Sequence, residues 1–94
     1  MTKSEDRIMT TKIQKAVADA TKQGGATPAA AYTAGCWVAG IDDKLVLAGI
    51  GAINRYEFGW TNANNMLLGA IQRLPCKVSD LALDAFNMVK GMVR

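Results

Sequence analysis

The sequence predicts an all-α protein, a compact bundle of four to five short helices. Three observations predict it. Apolar residues recur at helical spacing in separate stretches of the chain. Ser, Thr and Pro stand where those stretches begin, and Gly-Gly and Pro stand where they end. The chain has 94 residues, half of them hydrophobic, enough for one domain spanning 1–94 with a core of its own.

The first helix reads from Ser4 to Gln23. Ser4 is the candidate N-cap, and Glu5 and Asp6 put negative charge in the first turn, where it suits the helix dipole. Ile8, Met9, Ile13, Ala16, Val17 and Ala20 share one side, and Gly24-Gly25 is the stop. Thr27-Pro28 opens the second helix with a Thr cap and Pro at the first helical position. From Ala29 to Ala39 only Thr33 and the Tyr32 hydroxyl interrupt an apolar surface, which implies burial on most sides. Ala31, Gly35 and Ala39 recur every fourth residue and leave a smooth stripe for another backbone to approach.

The third segment, Leu45 to Ile53, supports two readings. Asp42-Asp43 can cap a helix, in which Gly49 and Gly51 would each cost roughly 0.5–1 kcal/mol relative to Ala. The alternative is an α+β fold with a central β-hairpin around 36–50, which Val38, Ile41, Val46 and Ile50 favour. The helix is the preferred reading. The fourth helix is expected to be capped by Thr61 and ended by Pro75, with Ala63, Met66, Leu67, Ala70, Ile71 and Leu74 on one face. In the fifth, Ser79 is the candidate cap and Val78 with Leu83 has staple spacing. Its apolar face runs through Leu81, Ala82, Ala85, Phe86, Met88, Val89, Met92 and Val93. The second and third segments are expected at the centre, covered by the other three.

Composition removes several function classes. A net charge of +3 is mild, short of the dense basic face of a strong nucleic-acid binder. Arg7, Lys12, Lys15 and Lys22 line the first helix and read as a solvated face. A helix-turn-helix is disfavoured because its second helix would open Pro28-Ala29-Ala30-Ala31, with nothing to read base edges. Weak nucleic-acid binding is therefore the third reading, and nucleic acid, like a membrane, is disfavoured as a partner. With no His, and Cys36 and Cys76 forty positions apart, a four-ligand zinc site within one chain is ruled out, and no metal or cofactor is expected. Both cysteines read as reduced and buried. The charged N-terminus is unlike a signal peptide, which points to a cytoplasmic protein. Pro28 to Ile41 is apolar for fourteen residues, short of the about 20 that span a bilayer. Gly49-Ile50-Gly51 resembles a dinucleotide-binding turn only superficially, since Asn54 stands where the third glycine belongs.

No catalytic residue is expected. Most carboxylates are explained by helix starts, turns and polar faces. Glu57, between Tyr56 and Phe58, is the exception, but it has no second group to work with. The stretch Arg55-Tyr56-Glu57-Phe58-Gly59-Trp60-Thr61-Asn62-Ala63-Asn64-Asn65 is the one that stands out. It holds three of the six aromatic residues, with Arg and three Asn. Tyr, Trp and Arg dominate binding hot spots because they bury large area and keep a polar handle. Arg55, Tyr56, Phe58, Trp60, Asn62, Asn64 and Asn65 are thus the candidate partner- or ligand-binding residues. The expected function is a non-enzymatic binding protein acting on another protein. The alternative is a small-ligand or nucleotide-binding oligomer, its aromatic rings stacking a base and Arg55 or Arg73 pairing with phosphate. The broad apolar face of the last helix suggests self-association near Leu83, Met88 and Met92.

Overall fold

The computed structural model describes residues 3–93, with side chains described for 11–93. Five α-helices follow one another: α1 Lys3–Thr21, α2 Pro28–Ala39, α3 Asp43–Arg55, α4 Trp60–Ile71 and α5 Cys76–Gly91. The described residues contain no strand, so the hairpin alternative is excluded and 36–50 is helical on both sides of a turn.

The boundaries of α2 follow the local chemistry. The Thr27 hydroxyl accepts the Ala30 N–H at 3.1 Å, and Pro28 occupies the first turn, where no N–H partner is needed. Inside the helix the buried Thr33 hydroxyl donates to the Ala29 carbonyl at 2.8 Å. Gly40 then adopts φ 74°, and the Ile41 N–H returns to the Cys36 carbonyl. Asp42 caps α3 by accepting the Lys44 N–H at 2.7 Å.

Several boundaries differ from expectation. Ser4 lies within α1 rather than ahead of it, and its side chain, like those of Ile8 and Met9, lies outside the described residues. α4 begins at Trp60 with Gly59 in the cap position, so Thr61 is an exposed first-turn residue. It ends at Ile71, four residues before Pro75. Pro75 instead starts α5, its carbonyl accepting the N–H groups of Val78 and Ser79. Ser79 and Val78 are therefore inside the helix, where neither the cap nor the staple can form. The Ser79 hydroxyl donates to the Ile71 carbonyl at 3.2 Å, satisfying an acceptor freed at the end of α4.

The core is organised around α2. It packs against all four other helices, and α5 packs against α1, α2 and α4. The expectation that α2 and α3 share the centre is half right. α3 buries Val46, Gly49 and Ile53 against α2 but leaves Leu45 and Leu47 mostly exposed. It sits at the edge because three other helices, α1, α4 and α5, already cover the remaining sides of α2. The small residues of α2 allow this crowding. A Cβ at Gly35 would lie 2.6 Å from Leu67 Cδ2 and 3.0 Å from the Ala82 carbonyl oxygen. A Cβ at Gly49 would overlap the Tyr32 ring. Gly51, by contrast, faces open space and takes no part in close packing. Elsewhere the predicted faces hold with exceptions: Ala70, Met88, Met92 and Val93 are exposed, because the outer flanks of α4 and α5 have nothing above them.

Cys36 is fully buried, whereas Cys76, at the start of α5, is exposed, contrary to expectation; both are unpaired. Burial pushes the Cys36 thiol up from 9.0 to about 11, partly opposed by a hydrogen bond from the Tyr32 hydroxyl. Burial likewise pushes Tyr32 up from 10.0 to about 12, with the neighbouring Cys36 adding to it. Both groups are held neutral in the fold, while the unfolded chain releases these protons from about pH 9. Stability should therefore be intact below pH 9 and fall as pH rises toward 11–12, by on the order of 2 kcal/mol for the coupled pair. Urea midpoints measured from neutral to alkaline pH check this, and Cys36→Ala should flatten the decline.

Candidate functional site

The candidate site is built on the turn between α3 and α4. α3 ends with Arg55 in its last turn and Tyr56 in the terminal position. Glu57 is the one described non-glycine residue with positive φ, 52°. Its N–H returns to the Asn54 carbonyl, and the Phe58 N–H returns to the Ile53 carbonyl at 2.9 Å. This double closure reverses the chain and usually takes glycine at the left-handed position. A left-handed non-glycine residue costs roughly 1–2 kcal/mol. Glu57→Gly is accordingly expected to raise stability by up to about 1 kcal/mol, after the extra freedom glycine has in the unfolded chain. A chemical melt of the variant checks the sign.

The turn sorts the aromatic rings. Tyr56 is 60% exposed, while Phe58 and Trp60 are partly buried and pack against the core. Tyr56 and Phe58 stack at 5.6 Å between centroids with 25° between planes. The Arg55 guanidinium carbon lies 5.6 Å from the Tyr56 ring centroid, within cation–π range. Trp60 turns the other way and meets Phe86 of α5 edge-on at 6.1 Å, which ties the start of α4 to the core. Trp60 thus anchors the turn and Tyr56 projects from it.

The asparagines do not form one cluster. At 100° per residue, Asn62 and Asn65 fall on the outward side of α4, opposite the buried Ala63, Leu67 and Ile71, and Asn64 falls at the margin. The structure therefore brings together Arg55, Tyr56 and Phe58, with Asn62 and Asn65 exposed nearby in sequence. Arg73 lies beyond the far end of α4, about 18 Å along the helix from Trp60. Leu83 is partly buried against the core, while Met88 and Met92 are 42% and 51% exposed. Met88 borders a cleft with Ile13, Asp84 and Asn87.

No protein-family model matches the chain, and no curated protein or solved structure is significantly similar to it. The site is therefore judged on its geometry. Among the described residues no group of three or more His, Cys, Asp or Glu is placed to hold a metal ion. No described helix is long and apolar enough to cross a membrane. Lys12 and Lys15 on α1 and Lys22 just after it are exposed; the side chain of Arg7 lies outside the described residues. Sequence reasoning missed one feature of the surface: a groove between α2 and α3 beside the exposed Trp37 and Leu47. Leu47 and Ile50 share a flank of α3 three positions apart, which could be read only once α3 was known to be a helix at the edge.

Proposed function

We propose that this chain is a non-enzymatic binding protein that occupies a surface on another protein through the α3–α4 turn, as an inhibitor, adaptor or assembly factor. One observation carries the reading. Tyr56 is largely exposed yet makes two ring contacts with its own neighbours, Phe58 stacked on it and the Arg55 guanidinium over it. An aromatic anchor ordered before binding loses little conformational freedom when it docks, which favours affinity. Asn62 and Asn65, exposed on the first turns of α4, supply adaptable hydrogen-bond groups nearby in the chain. For the small-ligand alternative, Arg55 stands over the Tyr56 ring, whereas Arg73 lies beyond the far end of α4.

The test is native mass spectrometry of the protein isolated from its source, with wild type compared to Tyr56→Ala. The wild type should carry a partner chain. Tyr56→Ala should lose most of it, with a melting temperature close to wild type because the ring is exposed. A variant that retained its partner would sink the reading. An added mass of only a few hundred daltons would transfer the assignment to the small-ligand alternative.

A further inference from the structure

α3 is the helix least tied to the rest of the bundle. Among the described residues it packs on α2 and on no other helix to a comparable extent, whereas α1, α4 and α5 each pack on two or more neighbours. None of the largest fully buried side chains belongs to α3; Leu67 and Ile71 of α4, Phe86 and Val89 of α5 and Cys36 of α2 hold those places. An element with few buried contacts is the one that opens first when a domain opens in parts. The connections at its two ends permit this. On one side Gly40 takes φ 74°, with open space around it. On the other, Glu57 at φ 52° and Gly59 precede Trp60, which is fixed edge-on against Phe86. α3 thus hangs between two turns whose far sides belong to the core.

What α3 covers is specific. Gly49 lies directly against the ring and hydroxyl of Tyr32. That hydroxyl hydrogen-bonds the Cys36 thiol, one turn further along α2. The thiol therefore stands on the side of α2 that faces α3, and it is wholly buried there. We infer that α3 is a lid, which lifts from α2 as a unit, hinged at Gly40 and at Glu57–Gly59, and in lifting uncovers Cys36. With the lid closed the thiol is out of reach. With the lid open it meets solvent and any electrophile dissolved there. Tyr56 caps α3 and travels with it, so the turn keeps its place against the core only while the lid is closed. The opening itself does not depend on what the Tyr56 turn binds. Cys76, exposed at the start of α5, has no such gate.

Thiol labelling of the full chain carrying Cys76→Ser tests the lid, since Cys36 is then the only thiol. The Cys36 sulfur displaces iodide from iodoacetamide, and the thiol proton passes to solvent. Labelling should proceed in native buffer, with a urea dependence that is a small fraction of that of global unfolding, because lifting one helix exposes little surface. Gly49→Ala, which crowds Tyr32, should speed labelling by roughly tenfold or more. Phe86→Leu should speed amide exchange in α5 and leave Cys36 labelling unchanged, because the contacts of α5 survive with the lid open. Native-state hydrogen exchange of the wild type reads the same opening without a thiol reagent. The amides of Val46, Gly49 and Ile53 should exchange roughly a hundredfold faster than those of Leu67, Phe86 and Val89. Labelling that needs global unfolding, that ignores Gly49→Ala, or that rises with Phe86→Leu in step with α5 exchange overturns the lid. So does equal protection of the α3 and α5 amides.

Discussion

Phe86→Ala should cost about 4 kcal/mol of folding stability, in the range found for deleting a fully buried aromatic side chain. Phe86 is 1% exposed and is among the largest wholly buried side chains in the described core. It lies on α5, which packs on α1, α2 and α4, so the space it leaves borders several helices and cannot close by moving one. A loss of that size is a large part of the 5–15 kcal/mol that holds a typical domain. For a domain of this length it should lower the melting temperature by roughly 20 °C. The same ring braces Trp60 edge-on, so the variant should also loosen the start of α4, seen as a change in tryptophan emission before global unfolding. Phe86→Leu keeps most of the apolar volume and should cost much less. A melting temperature for Phe86→Ala within a few degrees of wild type would contradict the packing described above.

Gly49→Ala should destabilise by about 2 kcal/mol, although alanine is the better helix former by roughly 1 kcal/mol. The added methyl has no room, since it would overlap the ring and hydroxyl of Tyr32. Tyr32 cannot readily step aside, being 4% exposed within α2. Either the ring leaves its position beside Cys36 or α3 lifts from α2. The control is Gly69→Ala on α4, which meets nothing within 4 Å and should stabilise by up to about 1 kcal/mol. A double-mutant cycle assigns the cause. In a Tyr32→Leu background the added methyl should cost distinctly less, because the ring it meets is gone. Equal costs in both backgrounds would mean that the overlap with Tyr32 is not what limits the approach of α3.

Much of the fold could be read locally. Thr27-Pro28 at the start of α2 and Asp42 at the start of α3 are caps that the structure uses as expected, because a cap requires only a short-range hydrogen bond. The buried Ala63, Leu67 and Ile71 of α4 follow directly from spacing. The errors have a common origin. Thr61 and Ser79 look like caps, but Gly59 and Pro75 start the helices earlier, and Ser79 has a better use bridging to the end of α4. Among the aromatic residues of the turn, composition marked the cluster and could not sort it. Trp60 is drawn inward by Phe86, twenty-six positions away, and Tyr56 is turned outward by the left-handed Glu57.

The sequence by itself determined a preferred all-α class with four to five helices and the apolar nature of α2, and it marked the stretch from Arg55 to Asn65 as a candidate surface. These depend on periodicity and on contacts between near neighbours in the chain, which composition and spacing encode. Only the tertiary structure decided that α2 alone is central and α3 lies at the edge, that Cys36 is buried and Cys76 exposed, and that Leu45 and Leu47 of α3 face outward. An amphipathic helix shows in its sequence that it has an apolar face. Which neighbour covers that face, and whether any of it is left uncovered, depends on how all five helices share the limited surface of α2.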